Sequence, residues 1–138
     1  MAETRRRPIQ SYEDIEAYQR AKTLIPAVHK IADALPDREQ RDLASQIRRA
    51  AKSIPANIAE GFARRASAKE FKRYLTIAMG SANELEVHLK IAANLGYVTK
   101  EVSSECKEEY VIVGKQLNRL IASWQTFESP ASSIQAPE

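Results

Sequence analysis

Apolar residues recur at spacings of three and four along almost the whole chain, in four separate runs. The first holds Ala17, Ala21, Leu24, Val28, Ile31/Ala32 and Leu35, and the second Leu43, Ile47, Ala50/Ala51, Ile54, Ile58 and Phe62. The third holds Phe71, Tyr74, Leu75, Ala78, Ala82, Leu85, Leu89 and Ala92. The fourth, Cys106, Tyr110, Val113, Leu117, Leu120, Trp124 and Phe127, alternates fours and threes as a heptad seam does. Each run predicts an amphipathic helix, and four such helices predict an all-α bundle.

The punctuation between runs agrees. Ser11 with Asp14 resembles a capping box at the first helix, Leu35-Pro36-Asp37 is a turn, and Asp37 with Gln40 predicts the start of the second helix. That helix ends near Arg65, and Ser67 with Glu70 caps the third. So short a connection makes helices two and three an antiparallel hairpin. Ala78, Gly80, Ser81 and Ala82 on the third helix permit close approach of another helix. Asn94-Leu95-Gly96-Tyr97 is a helix end and Thr99 a cap for the fourth helix. Residues 11–128 form the bundle domain, 1–10 a basic arm with Arg5, Arg6 and Arg7, and 129–138 a disordered tail rich in Ser, Pro, Ala and Gln.

Two prolines sit inside helical patterns. Pro26 leaves either a kinked first helix or two shorter ones. Around Pro55 the apolar spacing does not break, so the second helix runs through it. Losing the hydrogen bond to the Ala51 carbonyl costs roughly 3 kcal/mol, which tertiary contacts must offset. On a wheel this helix has three faces. Opposite its apolar face lie Arg38, Arg41, Ser45, Arg48, Arg49 and Lys52. On one flank lie Gln46, Ser53, Asn57 and Arg64, with Glu60 at the margin. That flank is either the hydrated edge of the bundle or, as the cost of Pro55 favours, a subunit interface whose polar groups find partners, the freed carbonyl among them. The interface residues are then Gln46, Ser53, Pro55, Asn57 and Glu60.

The chain has 138 residues, 43% apolar and 28% charged, the size and composition of one globular domain. Net charge is +3, unevenly spread: residues 1–75 hold 16 Lys/Arg against 10 Asp/Glu, and the rest hold 5 against 8. The single cysteine, Cys106, fits a reducing compartment and excludes an internal disulfide. No apolar run reaches the roughly 18 residues of a membrane span and no signal pattern precedes Tyr12, so a cytoplasmic location is expected.

Catalytic and cofactor signatures are missing. The chain carries no glycine-rich phosphate loop, no G-x-S-x-G and no H-E-x-x-H. Glu84 and His88 supply at most half of a metal site, and Cys106 on an apolar seam reads as a core residue rather than a nucleophile. No enzymatic activity, metal or cofactor is expected. Surface recognition remains. Arg38, Arg41, Arg48, Arg49 and Lys52 have the sign and spacing to follow a phosphate backbone, and Arg64, Arg65, Lys69, Lys72 and Arg73 add charge near the start of the third helix. Aromatics are not expected to interleave with the basic residues, so weakly selective binding without base stacking is expected.

The segment RRAAKSIPANIAEG, followed by SAKEF, IAMGSANELE and the LGY helix end, resembles the proteins encoded in 23S ribosomal RNA intervening sequences, from about Tyr12 to Phe127. The resemblance implies an up-and-down four-helix bundle assembled as a ring, a homopentamer, without enzymatic chemistry. It further implies a relation to the accessory variability proteins of diversity-generating retroelements, basic pentameric bundles that partner a reverse transcriptase and nucleic acid. Two functions follow as expectations: an oligomeric adaptor associated with RNA or DNA, as accessory to a reverse transcriptase, or a structural bundle whose charged face meets an acidic protein.

Overall fold

The computed structural model describes residues 8–135. Four helices account for most of it: α1 Glu16–Asp33, α2 Leu43–Ala63, α3 Ala68–Asn94 and α4 Lys100–Gln135. Each packs only on its chain neighbours and α1 also on α4, so the four close into a square. Cross-contacts fix the directions. On α2 and α3, Ser53 meets Ser81 while Gly61 meets Tyr74 and Phe71; on α3 and α4, Ser103 meets Leu89 while Trp124 meets Phe71. Ascending numbers on one helix pair with descending numbers on the next, an up-and-down antiparallel arrangement.

The core is what the periodicity predicts. Ala17, Ala21, Val28, Ala32, Ile47, Ile54, Ile58, Leu75, Leu85, Leu89, Tyr110, Val113 and Leu117 are almost wholly buried. Leu24, Ile31, Tyr74, Cys106, Leu120 and Trp124 are half-buried at its margin. The side chain of Phe127 lies outside those described, as do Arg5, Arg6 and Arg7 of the expected arm. Pro26 lies within one continuous α1, so the two-helix alternative falls away. Pro55 lies within one continuous α2 and is itself buried, so its ring recovers part of the lost bond as apolar burial. The α4 backbone remains helical past the expected boundary at 128, through Gln135. Residues 129–135 contain no glycine, and Pro130 holds a helix-compatible φ. Residues 136–138 of the expected tail are outside the described ones.

Two of the expected helix caps form, and the Ser11 capping box closes a separate 3-10 turn rather than α1, which begins at Glu16 behind Ile15. Ser11 Oγ accepts from Glu13 N while Asp14 Oδ2 accepts from Ser11 N, around a 3-10 turn at Tyr12–Asp14. Ser67 Oγ accepts from Glu70 N, and Thr99 Oγ1 from Val102 N. Gly96, at φ +80°, ends α3, with Tyr97 N donating back to Ala92 O at 2.9 Å. The cap expected from Asp37 and Gln40 does not form. Asp37–Glu39 is a separate 3-10 turn and α2 begins at Leu43. Gln40 instead turns back on α1, its Nε2 donating to the Ala32 and Leu35 carbonyls, both at 2.9 Å. The Ala32 carbonyl also accepts from Leu35 N at 3.1 Å, so Gln40 adds a second donor there and supplies one to the Leu35 carbonyl just past the end of α1.

Ala78, Ser81 and Ala82 are buried, with Ser81 Oγ 2.9 Å from Ser53 Oγ of α2, as the expected close approach requires, but Gly80 takes no part in it. A Cβ on Gly80 would meet nothing within 4 Å. A Cβ on Gly61 would lie 2.6 Å from Tyr74 Cβ and 3.2 Å from the Phe71 carbonyl oxygen. The glycine that closes the α2–α3 hairpin is therefore Gly61, at the end of SIPANIAEG.

Candidate nucleic-acid interface

The ten basic residues fall into two groups, one from the α1–α2 turn to the middle of α2 and one around the α2–α3 corner. From Arg48 to Arg65 is roughly 25 Å at 1.5 Å per helical residue. The first group begins at the α1–α2 turn. Arg48 is largely occupied within the chain, its Nη2 donating to Asp33 Oδ1 at 2.7 Å and to Gln40 Oε1 at 2.6 Å. It ties the end of α1 to α2 through the same Gln40 that caps α1. Arg38 lies over the Tyr97 ring at 5.8 Å, and Tyr97 Oη donates to Glu39 Oε2 at 2.9 Å, fastening the α3–α4 turn to the α1–α2 turn.

Arg41, Arg49 and Lys52 differ. All three are exposed, and none makes a hydrogen bond or ion pair with the described residues. With Gln40, Ser45 and Arg48 they line an open concavity of ≈ 390 Å³. Arg49 and Lys52 are one turn apart, and Arg41 precedes them by about two turns. Three uncompensated cations in a row beside a hydroxyl present donors and positive potential to an anion lying along the helix.

The second group, around the α2–α3 corner, is more compensated. Arg64 Nε donates to Glu60 Oε2 at 2.8 Å, and Arg73 pairs with Glu70 at 3.3 Å. The hydrogen bond from Arg73 holds the Glu70 carboxyl below its usual range, while Glu60 and Glu70 raise Arg64 and Arg73 respectively. Arg65 Nη1 donates to the Phe62 carbonyl, and its guanidinium lies 4.0 Å from the Phe62 ring centre. Only the ammonium groups of Lys69 and Lys72 are unpaired with the described residues. The corner does bring aromatics and cations together: the half-buried Tyr74 ring has Arg73 at 4.6 Å and Arg64 at 5.4 Å. This corrects the expectation that aromatics and basic residues stay apart. Phe71 between Lys69 and Lys72 and Tyr74 after Arg73 are visible in the sequence, whereas the approach of Arg64 to Tyr74 across the turn is not.

The five residues expected at a subunit interface scatter. Ser53, Asn57 and Ser81 form a small polar cluster between α2 and α3 of the same chain. Asn57 Nδ2 donates to Ser53 O at 2.8 Å and to Ser53 Oγ at 3.0 Å, and the two serine hydroxyls are 2.9 Å apart. Pro55 is buried in the chain's own core, Glu60 pairs with Arg64, and Gln46 donates to Asp42 Oδ1 at 3.1 Å. None of these side chains donates to the Ala51 carbonyl. A buried anchor that periodicity did not reveal is Ser103, whose Oγ donates to the Leu89 carbonyl at 3.0 Å and pins α4 to α3.

Elsewhere the surface offers little chemistry. Among the described residues no three His, Cys, Asp or Glu side chains gather as a metal site, and no helix is long and apolar enough to cross a membrane. His88 Nε2 lies 3.2 Å from Glu84 Oε2, and His29 Nδ1 3.2 Å from the Ile25 carbonyl. Burial pushes the Cys106 thiol up to about 11, with Glu109 adding to it, so the sulfur is protonated and weakly nucleophilic at neutral pH.

No curated protein matches the chain. Among solved structures, it is similar to the crystal structure of a protein of unknown function from the S23 ribosomal protein family of Bacteroides thetaiotaomicron. The two share 26% identity and a TM-score of 0.68, over 76% of this chain and 97% of that one. The sequence profile of the 23S rRNA-intervening sequence proteins matches residues 13–119, most of the bundle. This chain belongs to the 23S rRNA-intervening sequence protein family.

Proposed function

We propose that this protein is a non-enzymatic, homopentameric adaptor that binds RNA or DNA in the cytoplasm through the α2 basic face, as accessory to a reverse transcriptase. The observation that carries the reading is the row formed by Arg41, Arg49 and Lys52, exposed and without anionic partners around an open concavity. Cations that serve a monomer's stability have partners, as Arg48 does. Three without any raise the local potential and are available to phosphate. In a ring the row repeats around the axis and the potentials add. The α2–α3 corner, with Lys69, Lys72 and the Arg-flanked Tyr74, is a second, weaker contact.

Light scattering coupled to size exclusion, with a mixed RNA and DNA pool at low and physiological salt, tests this. Co-elution at low salt that fades as salt rises, and is lost when Arg41, Arg49 and Lys52 become glutamate, is the expected result. A protein that ignores nucleic acid at both salts overturns the reading and leaves the row to an acidic protein partner.

A further inference from the structure

The concavities on this surface differ in sign. Two between α1 and α4, of ≈ 460 and ≈ 420 Å³, are mixed: Asp14 and Glu16 stand with Arg119 in one, and Glu16 and Glu109 with Arg20 in the other. The concavity of ≈ 390 Å³ on α2 has no carboxylate in its lining. Of the acidic side chains around the α1–α2 turn, Asp33 accepts from Arg48, Glu39 from Tyr97 Oη and Leu43 N, and Asp42 from Gln46. Asp37, in the 3-10 turn, is not a lining residue either.

The sides of the α2 concavity have different roles. Gln40 and Arg48 form a fixed side: Gln40 Nε2 donates to two carbonyls at the end of α1, and its Oε1 accepts from Arg48 Nη2, which Asp33 also holds. Arg41, Arg49 and Lys52 form the charged side, exposed and without partners among the described residues. The half-buried Ser45 hydroxyl has no partner among them either. Three like charges thus surround one tied wall, and the chain supplies no counter-charge within the concavity. An anion is what the arrangement lacks.

Phosphates differ in how much charge they bring to such a space. A volume of ≈ 390 Å³ is about 7 Å across, and at about 3.4 Å of rise per nucleotide a strand lays about two diester phosphates in it, with one negative charge each. A terminal phosphate has a second ionisable oxygen and carries about −1.5 to −2 at neutral pH; joined to one or two further phosphates it brings about −3 to −4 into the same length. Three free cations match the terminal chain better than the diester run. We infer that the α2 concavity takes a terminal phosphate chain, the 5′-di- or triphosphate of an RNA or the same group on a free nucleoside polyphosphate. Arg41, Arg49 and Lys52 are its counter-charges and Ser45 Oγ a donor to a phosphoryl oxygen. The open side lets the rest of the ligand continue into solvent, where no base is read. The inference rests on the α2 row being the phosphate site of the proposed function, and names which phosphates it takes.

Fluorescence anisotropy tests it with one RNA sequence, labelled at its 3′ end and carrying a 5′-triphosphate, a 5′-monophosphate or a 5′-hydroxyl. Inorganic tripolyphosphate and GTP serve as competitors. The triphosphate RNA is expected to bind about tenfold more tightly than the hydroxyl RNA, with the monophosphate between them, and both competitors to displace it. Arg49→Gln/Lys52→Gln should abolish the preference, and Lys69→Gln/Lys72→Gln should keep it, both with the wild-type melting temperature. Equal binding of the three RNAs, or a preference that survives Arg49→Gln/Lys52→Gln, overturns the inference and leaves the row to internal phosphates. A protein that ignores every RNA but binds tripolyphosphate and GTP in calorimetry upholds the inference with a free nucleotide as the source, and overturns the nucleic-acid reading. Binding of none of these overturns both.

Discussion

The α2–α3 seam is closed by backbone contact and the α1–α4 seam by a salt bridge, and the difference shows where this bundle keeps its stability and where it keeps surface for partners. At α2–α3, Gly61 lies against Tyr74 and Phe71, Phe71 packs edge-on to Phe62 and Trp124 at 6.0 and 4.7 Å, and the Ser53–Asn57–Ser81 cluster closes the flank. At α1–α4 the described polar tie is Arg20–Glu109, both side chains more than a third exposed, above an open groove. A seam filled by aromatic rings tolerates little change. One bridged by solvated ions tolerates a good deal.

Substitutions should therefore hurt unequally. Phe71→Ala, which empties the site shared by α2, α3 and α4, is expected to cost about 3–5 kcal/mol in denaturant unfolding. Gly61→Ala forces a methyl against Tyr74 Cβ and the Phe71 carbonyl, which cannot swing away as a side-chain tip could, and should cost about 1–3 kcal/mol or more. Gly80→Ala, the same change where nothing lies within reach, should stabilise a helix interior by about 0.5–1 kcal/mol. Equal effects at the two glycines would show that Gly61 is not held against Tyr74 and Phe71 as tightly as described. Arg20→Gln should move monomer stability by less than about 1 kcal/mol, as expected of an exposed pair. A loss as large as that at Phe71 would show the α1–α4 seam to be held as firmly as the other.

The smallest effect concerns Cys106, at the edge of α4. Its thiol is raised in the folded state from 9.0 to about 11, so folded and unfolded chains are equally protonated below about 9. Above that the unfolded thiol ionises first, and the stability it contributes is lost as pH rises through the folded value. Alkylation of the native protein should be slow at neutral pH and speed up only on approach to 11, in a thiol-blocking time course.

Helices announce themselves through near-neighbour spacing, and so the four runs, the passage through Pro55 and the Gly96 helix end were all legible in sequence. Contacts between residues far apart in the chain were not. Gln40 looked like a cap for the helix that follows it and instead caps the one before, because the Ala32 and Leu35 carbonyls come within reach only after the turn has folded. Gly80 and Gly61 cannot be told apart by composition, and only the position of Tyr74 does so. The basic stripe read as one surface, yet Asp33 and Gln40 remove Arg48 from it and Glu60 and Glu70 offset the distal arginines. What survives as free charge before and along the first half of α2, Arg41, Arg49 and Lys52, is a subset that needed the fold to define it.

Arg48 and Arg49, adjacent in sequence, give the most direct test of that subset. Fluorescence anisotropy of a labelled RNA across a salt series should show Arg49→Gln/Lys52→Gln binding more weakly, with a salt slope reduced by about one per lost phosphate contact and an unchanged melting temperature. Arg48→Gln should lower the melting temperature and leave the slope nearer to wild type. If the double variant binds as wild type does at every salt concentration, the free row on α2 is not where this protein meets nucleic acid.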